Sequence, residues 1–444
     1  MRYAIVGNGV AGITAALELR KREPRAEINV ISGESDYFFS RTALMYSFMD
    51  RMTRRDLEPL ERGVFDAQRI GRVRGWVTDL DAQSRTLALS DGRKLAWDRL
   101  LLTSGSSPRR PQWLGLDQVR SGLVNFVSMQ DLEACEGAAQ RGGKAVVVGG
   151  GLIGIELVEC LRWAGMQVTF LIREPWYWPV ALSQAESAMV LEHMRHHGIN
   201  VVIGEAVTRV ETDLQGAVTA VATEQGTRYE CCALGVSIGV QPAVDWLRKV
   251  FTAPRVGRGI VVDPGFRTSL DGVFAAGDCA ELELPGCAPL VEQIWYSAKR
   301  QGRLAAHSML GEPVHYIPPI FFNSSKFFEI EFTTVGRFAN ESLTAELPAP
   351  NAQHVFYFRY PDKDASVRIA EQGGAVQAFN MLGSRWDHNK FEQWIEERRS
   401  LDAVMDRLHQ AQFDVEFGRL DLAPARAAFP QWRAANAARV KVSA

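Results

Sequence analysis

Residues Arg2–Val6 (RYAIV) form a short, largely apolar run that leads directly into a glycine-rich turn, Gly7-Asn8-Gly9-Val10-Ala11-Gly12. The following stretch, ITAALELRKR, spaces its apolar residues as one face of a helix until Pro24 breaks the pattern. Ile28–Ile31 (INVI) then supplies a second strand-like run. Strand, turn, helix and strand in that order predict a βαβ unit. The same pattern returns as Lys144–Val148, the turn Gly149-Gly150-Gly151-Leu152-Ile153-Gly154, a helix over Ile155–Trp163 and a strand at Val168–Ile172. Between the two units, Trp76–Leu89 and Lys94–Thr103 predict strands either side of an Asp91-Gly92 turn. Asn200–Ile203, Val207–Glu211, Val218–Thr223 and Arg228–Val236 continue an α/β pattern, and the Gly/Pro-rich passage Phe251–Gly265 predicts a crossing between domains. Pro318-Pro319 and the strand-rich Phe327–Val335 mark a change of architecture, and from about Lys390 the tail alternates helical segments.

The glycine spacing carries chemistry. In G-x-G-x-x-G the first glycine permits a tight turn, the second lets a pyrophosphate approach the backbone, and the third lets helix pack on strand. The unpaired N–H groups of the helix start then face the phosphates. Gly7, Gly9 and Gly12 are the first such set, and Gly149, Gly151 and Gly154 the second. Two copies, each between strand and helix, predict two dinucleotide sites in one chain. Glu34 stands 22 residues after Gly12, where a carboxylate accepts from ribose hydroxyls. The second unit ends differently: Ile172 cannot accept, and Arg173 can pair with a 2′-phosphate.

Composition narrows the classes. A length of 444 residues predicts two to four domains, and a net charge of −2 gives no field for nucleic acid. The six cysteines include no C-x-x-C pair, which fits a reducing, cytoplasmic setting. The apolar start Met1–Leu19 is interrupted by Glu18 and followed by no persuasive cleavage site. Ala145–Ile155 falls short of the roughly 18 residues of a membrane span, so none is expected. His193, His196 and His197 precede Gly198 at an expected helix end, a place for C-terminal cations and a capping glycine, and no metal site is expected there. Cys231-Cys232 lies in a strand whose alternate side chains diverge, and Trp176-Tyr177-Trp178 reads as packing.

Two further motifs carry a resemblance. Asp271-Gly272-Val273-Phe274-Ala275-Ala276-Gly277-Asp278 resembles the late FAD motif of two-dinucleotide-binding flavoproteins, in which the final aspartate, here Asp278 after Gly277, bonds the ribityl and phosphate region. Leu100–Arg109 resembles their middle motif T-G-x-x-P-R, with Thr103, Gly105, Pro108 and Arg109 in place. Over roughly residues 1–310 the chain resembles pyridine-nucleotide-dependent FAD reductases: disulfide reductases, ferredoxin and rubredoxin reductases, and nitrite reductase flavoprotein segments. Residues 1–134 contain no cysteine, which excludes the disulfide branch. Tyr37–Ser47 instead resembles the ferredoxin- and rubredoxin-reductase stretch whose arginine, here Arg41, helps hold FAD. The lysine expected near flavin N5 is Tyr46, while Glu156 matches the glutamate that commonly pairs with that lysine. Tyr46 is expected to donate its hydroxyl toward Glu156 or the flavin edge. Val291–Ala306 resembles the helix whose N-terminus approaches the flavin pyrimidine, with Ile294 and Trp295 nearest the ring. Gly239 completes the cofactor-binding candidates.

The resemblance implies an α/β fold of two Rossmann-like domains, for FAD (1–117 and 252–315) and NAD(P) (118–251), plus a C-terminal α+β domain with a helical tail (316–444). It implies an oxidoreductase taking hydride from NAD(P)H onto FAD and passing electrons to a ferredoxin- or rubredoxin-like carrier. An oxidase or quinone reductase, and a redox-sensing flavoprotein acting through partner docking, are the alternatives. Ile172-Arg173 resembles NADPH sites of the glutathione-reductase type, although their second arginine is Pro179 here, so NADPH is expected ahead of NADH. A homodimer through the C-terminal domain is compatible with this reading.

Overall fold

The structure is a computed structural model and describes residues 1–339, 353–413 and 419–442. The remaining residues of the expected C-terminal domain lie outside the described residues. Two five-stranded parallel sheets dominate, each built on one of the glycine turns. The first runs in the order Val273–Ala275, Arg99–Leu102, Arg2–Val6, Glu27–Ser32, Ile70–Arg74. The second runs Asn200–Ile203, Gln167–Ile172, Lys144–Val148, Ala233–Val236, Leu123–Val124. In each, the strand leading into the glycine turn is central, with connections departing to opposite sides. That is a topological switch point, where open α/β sheets bind ligands at the carboxyl ends of their strands. Both central strands are buried on both faces, which explains why they read as continuous apolar runs rather than alternating ones.

Local turn chemistry overrides the longer strands that the pattern predicts. Trp76–Leu89 is two strands, Val77–Asp81 and Thr86–Leu89, folded into a hairpin. Asp81 Oδ1 accepts from the amides of Gln83 and Ser84, and Arg85 turns the chain with φ 51°. Lys94–Thr103 breaks at Trp97-Asp98, where Asp98 is held by the amide and guanidinium of Arg2 at 2.7 and 2.8 Å. Only Arg99–Leu102 then joins the parallel sheet. Arg228–Val236 breaks at Cys231 (buried) and Cys232 (exposed), and Phe327–Val335 contains a hairpin turn at Phe328-Glu329.

The C-terminal region carries a five-stranded antiparallel sheet in the order Phe322–Phe327, Ile330–Gly336, Ala375–Leu382, Ser366–Gln372, His354–Arg359. Helices His388–Glu396, Leu401–Arg407 and Ala423–Val442 pack on it. Phe379 and Phe391 stack at 4.2 Å, a pair worth about 0.5–1.5 kcal/mol beyond its buried area. The last helix is held by Trp432, whose indole N–H donates to the Val355 carbonyl at 3.0 Å, and by an ion pair of Arg433 with Asp402 at 2.7 Å.

The C-terminal sheet docks on the helix Gln184–His196 of the second unit. Fully buried Glu186 lies 3.1 Å from Arg368 and accepts from Asn380 at 3.0 Å. Burial pushes the Glu186 carboxyl up, and Arg368 opposes the shift. Removing one partner of such a pair costs on the order of 3–5 kcal/mol, because a buried charge is left uncompensated.

Candidate functional site

The two glycine turns have the same construction. Gly7 takes φ 108°, and a Cβ there would lie 2.1 Å from the carbonyl oxygen of Thr103; Gly149 takes φ 115°, and a Cβ there would lie 2.2 Å from that of Ser237. A Cβ on Gly12 would meet the Gly7 carbonyl oxygen at 2.1 Å, and one on Gly154 the Gly149 carbonyl oxygen at the same distance. Gly9 and Gly151 differ from these: a Cβ at either would meet nothing within 4 Å. So the outer glycines serve protein packing, while the middle ones leave open space over a helix start. Helices Val10–Arg22 and Leu152–Trp163 begin without a side-chain cap, so their first N–H groups face that space.

Around the first turn, Thr103 is buried and its hydroxyl donates to the carbonyl of Val6 at 2.9 Å, clamping the turn to the neighbouring strand. Glu34 lies two residues past the strand Glu27–Ser32. Arg41 grips it with two parallel bonds of 2.9 and 2.8 Å, and the Met129 amide donates to it at 3.2 Å. The bidentate geometry fixes the carboxylate in place. Asp278 follows Gly277 at the end of Val273–Ala275 and accepts from the Ser106 hydroxyl at 2.8 Å. Burial pushes its pKa up, against opposing effects of Ser106 and Arg41. Glu34, Arg41 and Asp278 thus gather along the carboxyl edge of the first sheet. Ser106 is a site residue that the sequence reading missed, although it occupies a variable position of the T-G-x-x-P-R motif.

Gly105 (φ 72°) leads into the strand Ser106–Pro108, which pairs with Val240–Pro242 as a ribbon linking the two sheets. Arg109 and Gly239 meet there: the Arg109 amide donates to the Gly239 carbonyl and its Nε to that of Val240, each at 3.0 Å. The helix Trp295–Met309 crosses Val10–Arg22 so closely that a Cβ on Gly302 would lie 2.2 Å from the Ala11 carbonyl. Ile294 caps its N-terminus through backbone alone, and Trp295 is half-buried with the Lys299 ammonium 5.1 Å from its ring centroid.

Among the described residues no hydrogen bond joins Tyr46 to Glu156. A cation arrives from elsewhere in the fold: Lys326, on the first strand of the C-terminal sheet, lies 5.9 Å from the Tyr46 ring and donates to Glu159 at 2.8 Å. Glu156 and Glu159 are three apart on one helix face, so they repel each other. Glu156 is half-buried with protein packed densely about its carboxyl, and its pKa is pushed up to about 7 by that burial and by Glu159, while Lys326 pulls it down. No sequence signal marked Lys326, because only the sheet packing brings it to this helix.

At the second turn, Ile172 is fully buried and Arg173 projects into solvent, where it pairs with Glu174 at 3.0 Å. Cys135, the first in the chain, is buried, and burial, then Glu136 and Asp131, push its thiol up to about 12. No helix among the described residues is long and apolar enough to cross a membrane.

The geometry suits two dinucleotides, and similarity agrees. A family model described as pyridine nucleotide-disulphide oxidoreductase matches residues 1–302. The ferredoxin–NAD(+) reductase component of the biphenyl dioxygenase system of Paraburkholderia xenovorans (strain LB400) is 31% identical over 312 residues, 70% of this chain and 75% of that one. Rubredoxin-NAD(+) reductase of Pseudomonas putida is 27% identical over 331 residues, 73% and 84% of the two chains. The fold matches a crystal structure of a covalent putidaredoxin reductase–putidaredoxin complex with TM-score 0.77, at 24% identity over 89% of this chain and 93% of that one. The chain belongs to the pyridine nucleotide-disulphide oxidoreductase family and is an FAD-dependent NAD(P)H oxidoreductase.

Proposed function

We propose that the enzyme takes hydride from NAD(P)H at the second glycine turn and delivers electrons to a ferredoxin- or rubredoxin-like protein from an FAD held at the first. The observation that carries this reading is the pair of turns, each with an open middle glycine over an uncapped helix. Bound FAD supplies the conversion between hydride and single-electron chemistry. The chain's residues bind and orient. The N–H groups after Gly9 take the FAD pyrophosphate, Glu34 accepts ribose hydroxyls with Arg41 holding it still, and Asp278 takes the ribityl region. The positive N-terminus of Trp295–Met309, at Ile294 and Trp295, stabilises negative charge arriving at the ring edge. Glu156 and Tyr46 are assigned to the region of hydride transfer, and Lys326 favours the charged form of Glu156.

At the second site Gly151 leaves room for the nicotinamide dinucleotide. NADPH is the preferred form in this reading, since Arg173 is exposed and Ile172 offers no ribose acceptor. The test is turnover with each nucleotide, with ferredoxin or rubredoxin as acceptor and cytochrome c as reporter. Turnover that depends on the carrier supports the proposal. Equal turnover with oxygen or a quinone alone moves the enzyme to the small-acceptor class, and a lasting reduced complex without turnover to the docking class.

A further inference from the structure

We propose that His193, His197 and Glu329 form a zinc site that fastens the helix Gln184–His196 to the hairpin turn of the C-terminal sheet. The three ligand atoms converge from two parts of the fold, two from the end of this helix and one from the hairpin turn. His193 Nε2 lies 3.0 Å from Glu329 Oε2, His197 Nε2 lies 2.9 Å from the same oxygen, and the two nitrogens are 3.2 Å apart. Zinc binds nitrogen and carboxylate oxygen at about 2.0–2.2 Å, so a tetrahedral shell sets its ligand atoms roughly 3.3–3.5 Å apart. The observed triangle needs to open by only a few tenths of an ångström.

The surroundings are those of a ligand set. His193 Nδ1 lies 2.8 Å from Asp364 Oδ2, an arrangement that keeps the proton on Nδ1 and directs the Nε2 lone pair at the centre. The Phe328 ring lies flat against His197, centroids 4.5 Å apart at 17°, and the His197 carbonyl accepts from Arg162 at 2.8 Å. Both imidazoles are therefore oriented by neighbours other than each other. Without a cation the carboxylate oxygen of Glu329 accepts from the two rings; a cation bound by both Nε2 atoms and this oxygen would replace those protons at one point. Glu329 is 71% exposed, which leaves the fourth position to water.

The site also extends an existing seam. Glu186, His193 and His197 share one face of the helix, and the Glu186–Arg368 pair already ties that face to the C-terminal sheet. A cation at the far end sits at the helix C-terminus, whose partial negative charge favours it. His196 is exposed, takes no part, and serves as the control.

The test uses the full flavoprotein, stripped with EDTA and dialysed. Zn2+ is titrated against a chromophoric chelator, and Co2+ is added separately as a spectroscopic probe. One Zn2+ per chain and Co2+ bands of tetrahedral intensity are expected. Affinity falls by about 100-fold or more in His197→Ala and Glu329→Gln and by roughly 10–100-fold in Asp364→Asn, and is unchanged in His196→Ala. Zn2+ raises the melting temperature of the wild type and leaves that of His197→Ala where it was. FAD content and circular dichroism confirm that each variant folds, and Glu329→Gln, on an exposed side chain, carries the test if a histidine variant does not. Absence of stoichiometric Zn2+ in the wild type, or unchanged affinity in folded Glu329→Gln and His197→Ala, overturns the proposal.

Discussion

The two glycine turns share one backbone construction and differ in the side chains placed around it. Gly7 and Gly149 press on a neighbouring carbonyl, Gly12 and Gly154 press on the turn itself, and Gly9 and Gly151 stay open. Two residues past the second strand the first unit presents Glu34, fixed by Arg41, and the second presents Glu174, paired with exposed Arg173; the strand ends themselves differ as Ser32 and buried Ile172. Two residues after the third glycine the first unit has Thr14, the second Glu156 beside Glu159 and Lys326. The backbone therefore makes a generic phosphate site twice, and a few side chains decide which nucleotide each copy takes.

The largest effect separates backbone from ligand. Gly12→Val drives a side chain into the Gly7 carbonyl and is expected to destabilise the fold by about 3 kcal/mol or more, read as a lower melting temperature. Gly9→Ala enters open space, so it leaves the apoprotein melt nearly unchanged while FAD binding falls. An equal melting loss in both variants would end the division of labour drawn here.

Next in size is Asp278→Ala, which removes a charge-assisted contact worth about 1.5–3 kcal/mol and weakens FAD binding by roughly 10–100-fold in a fluorescence titration. Full occupancy at wild-type affinity removes Asp278 from the site. Arg173→Ala tests the other copy: NADPH kcat/KM falls by about tenfold, roughly 1.4 kcal/mol, while NADH is spared. A wild-type preference for NADH, or equal losses, assigns the ribose contact instead to Glu174, whose carboxylate stands two residues past the strand as Glu34 does in the first unit.

The smallest effect concerns Glu156. Its folded pKa, about 7, exceeds the ordinary glutamate value of 4.5. The folded state therefore holds the proton more tightly than the unfolded one. The resulting stability is complete below about pH 4.5 and is lost as pH rises through 7. Glu156→Gln flattens that slope by about 1 kcal/mol in urea denaturation followed across pH, a figure reduced for partial exposure. Lys326→Met moves the transition to higher pH, because Lys326 is what pulls the pKa down. An unchanged profile in both variants would separate Lys326 from Glu156.

Both βαβ units were legible because each lies within a short span, where strand, turn and helix signals adjoin. Glu34, Arg41 and Asp278 stand at fixed offsets from those turns in the sequence, and the fold brings them to one edge of the first sheet. Strand ends were not, since Asp81 and the Trp97-Asp98 break act through local hydrogen bonds that a hydrophobic pattern does not register. Lys326 and Glu329 were invisible for a different reason: their partners lie on helices of the second unit, and only docking of the C-terminal sheet brings them there. The histidines before Gly198 read as a helix end, and they are one: His197 terminates the helix and Gly198 takes φ 77°. What the spacing could not show is that the same rings face a carboxylate on the hairpin turn of the C-terminal sheet.

Two differently addressed copies of one turn are expected to pass electrons through a single chain. Anaerobic mixing of the FAD-loaded enzyme with one equivalent of NADPH or NADH, followed by oxidised ferredoxin or rubredoxin, tests it most directly. One nucleotide is expected to bleach one flavin, and two equivalents of the one-electron carrier to restore its colour. A flavin that stays oxidised with both nucleotides, or one that neither carrier reoxidises, would contradict it.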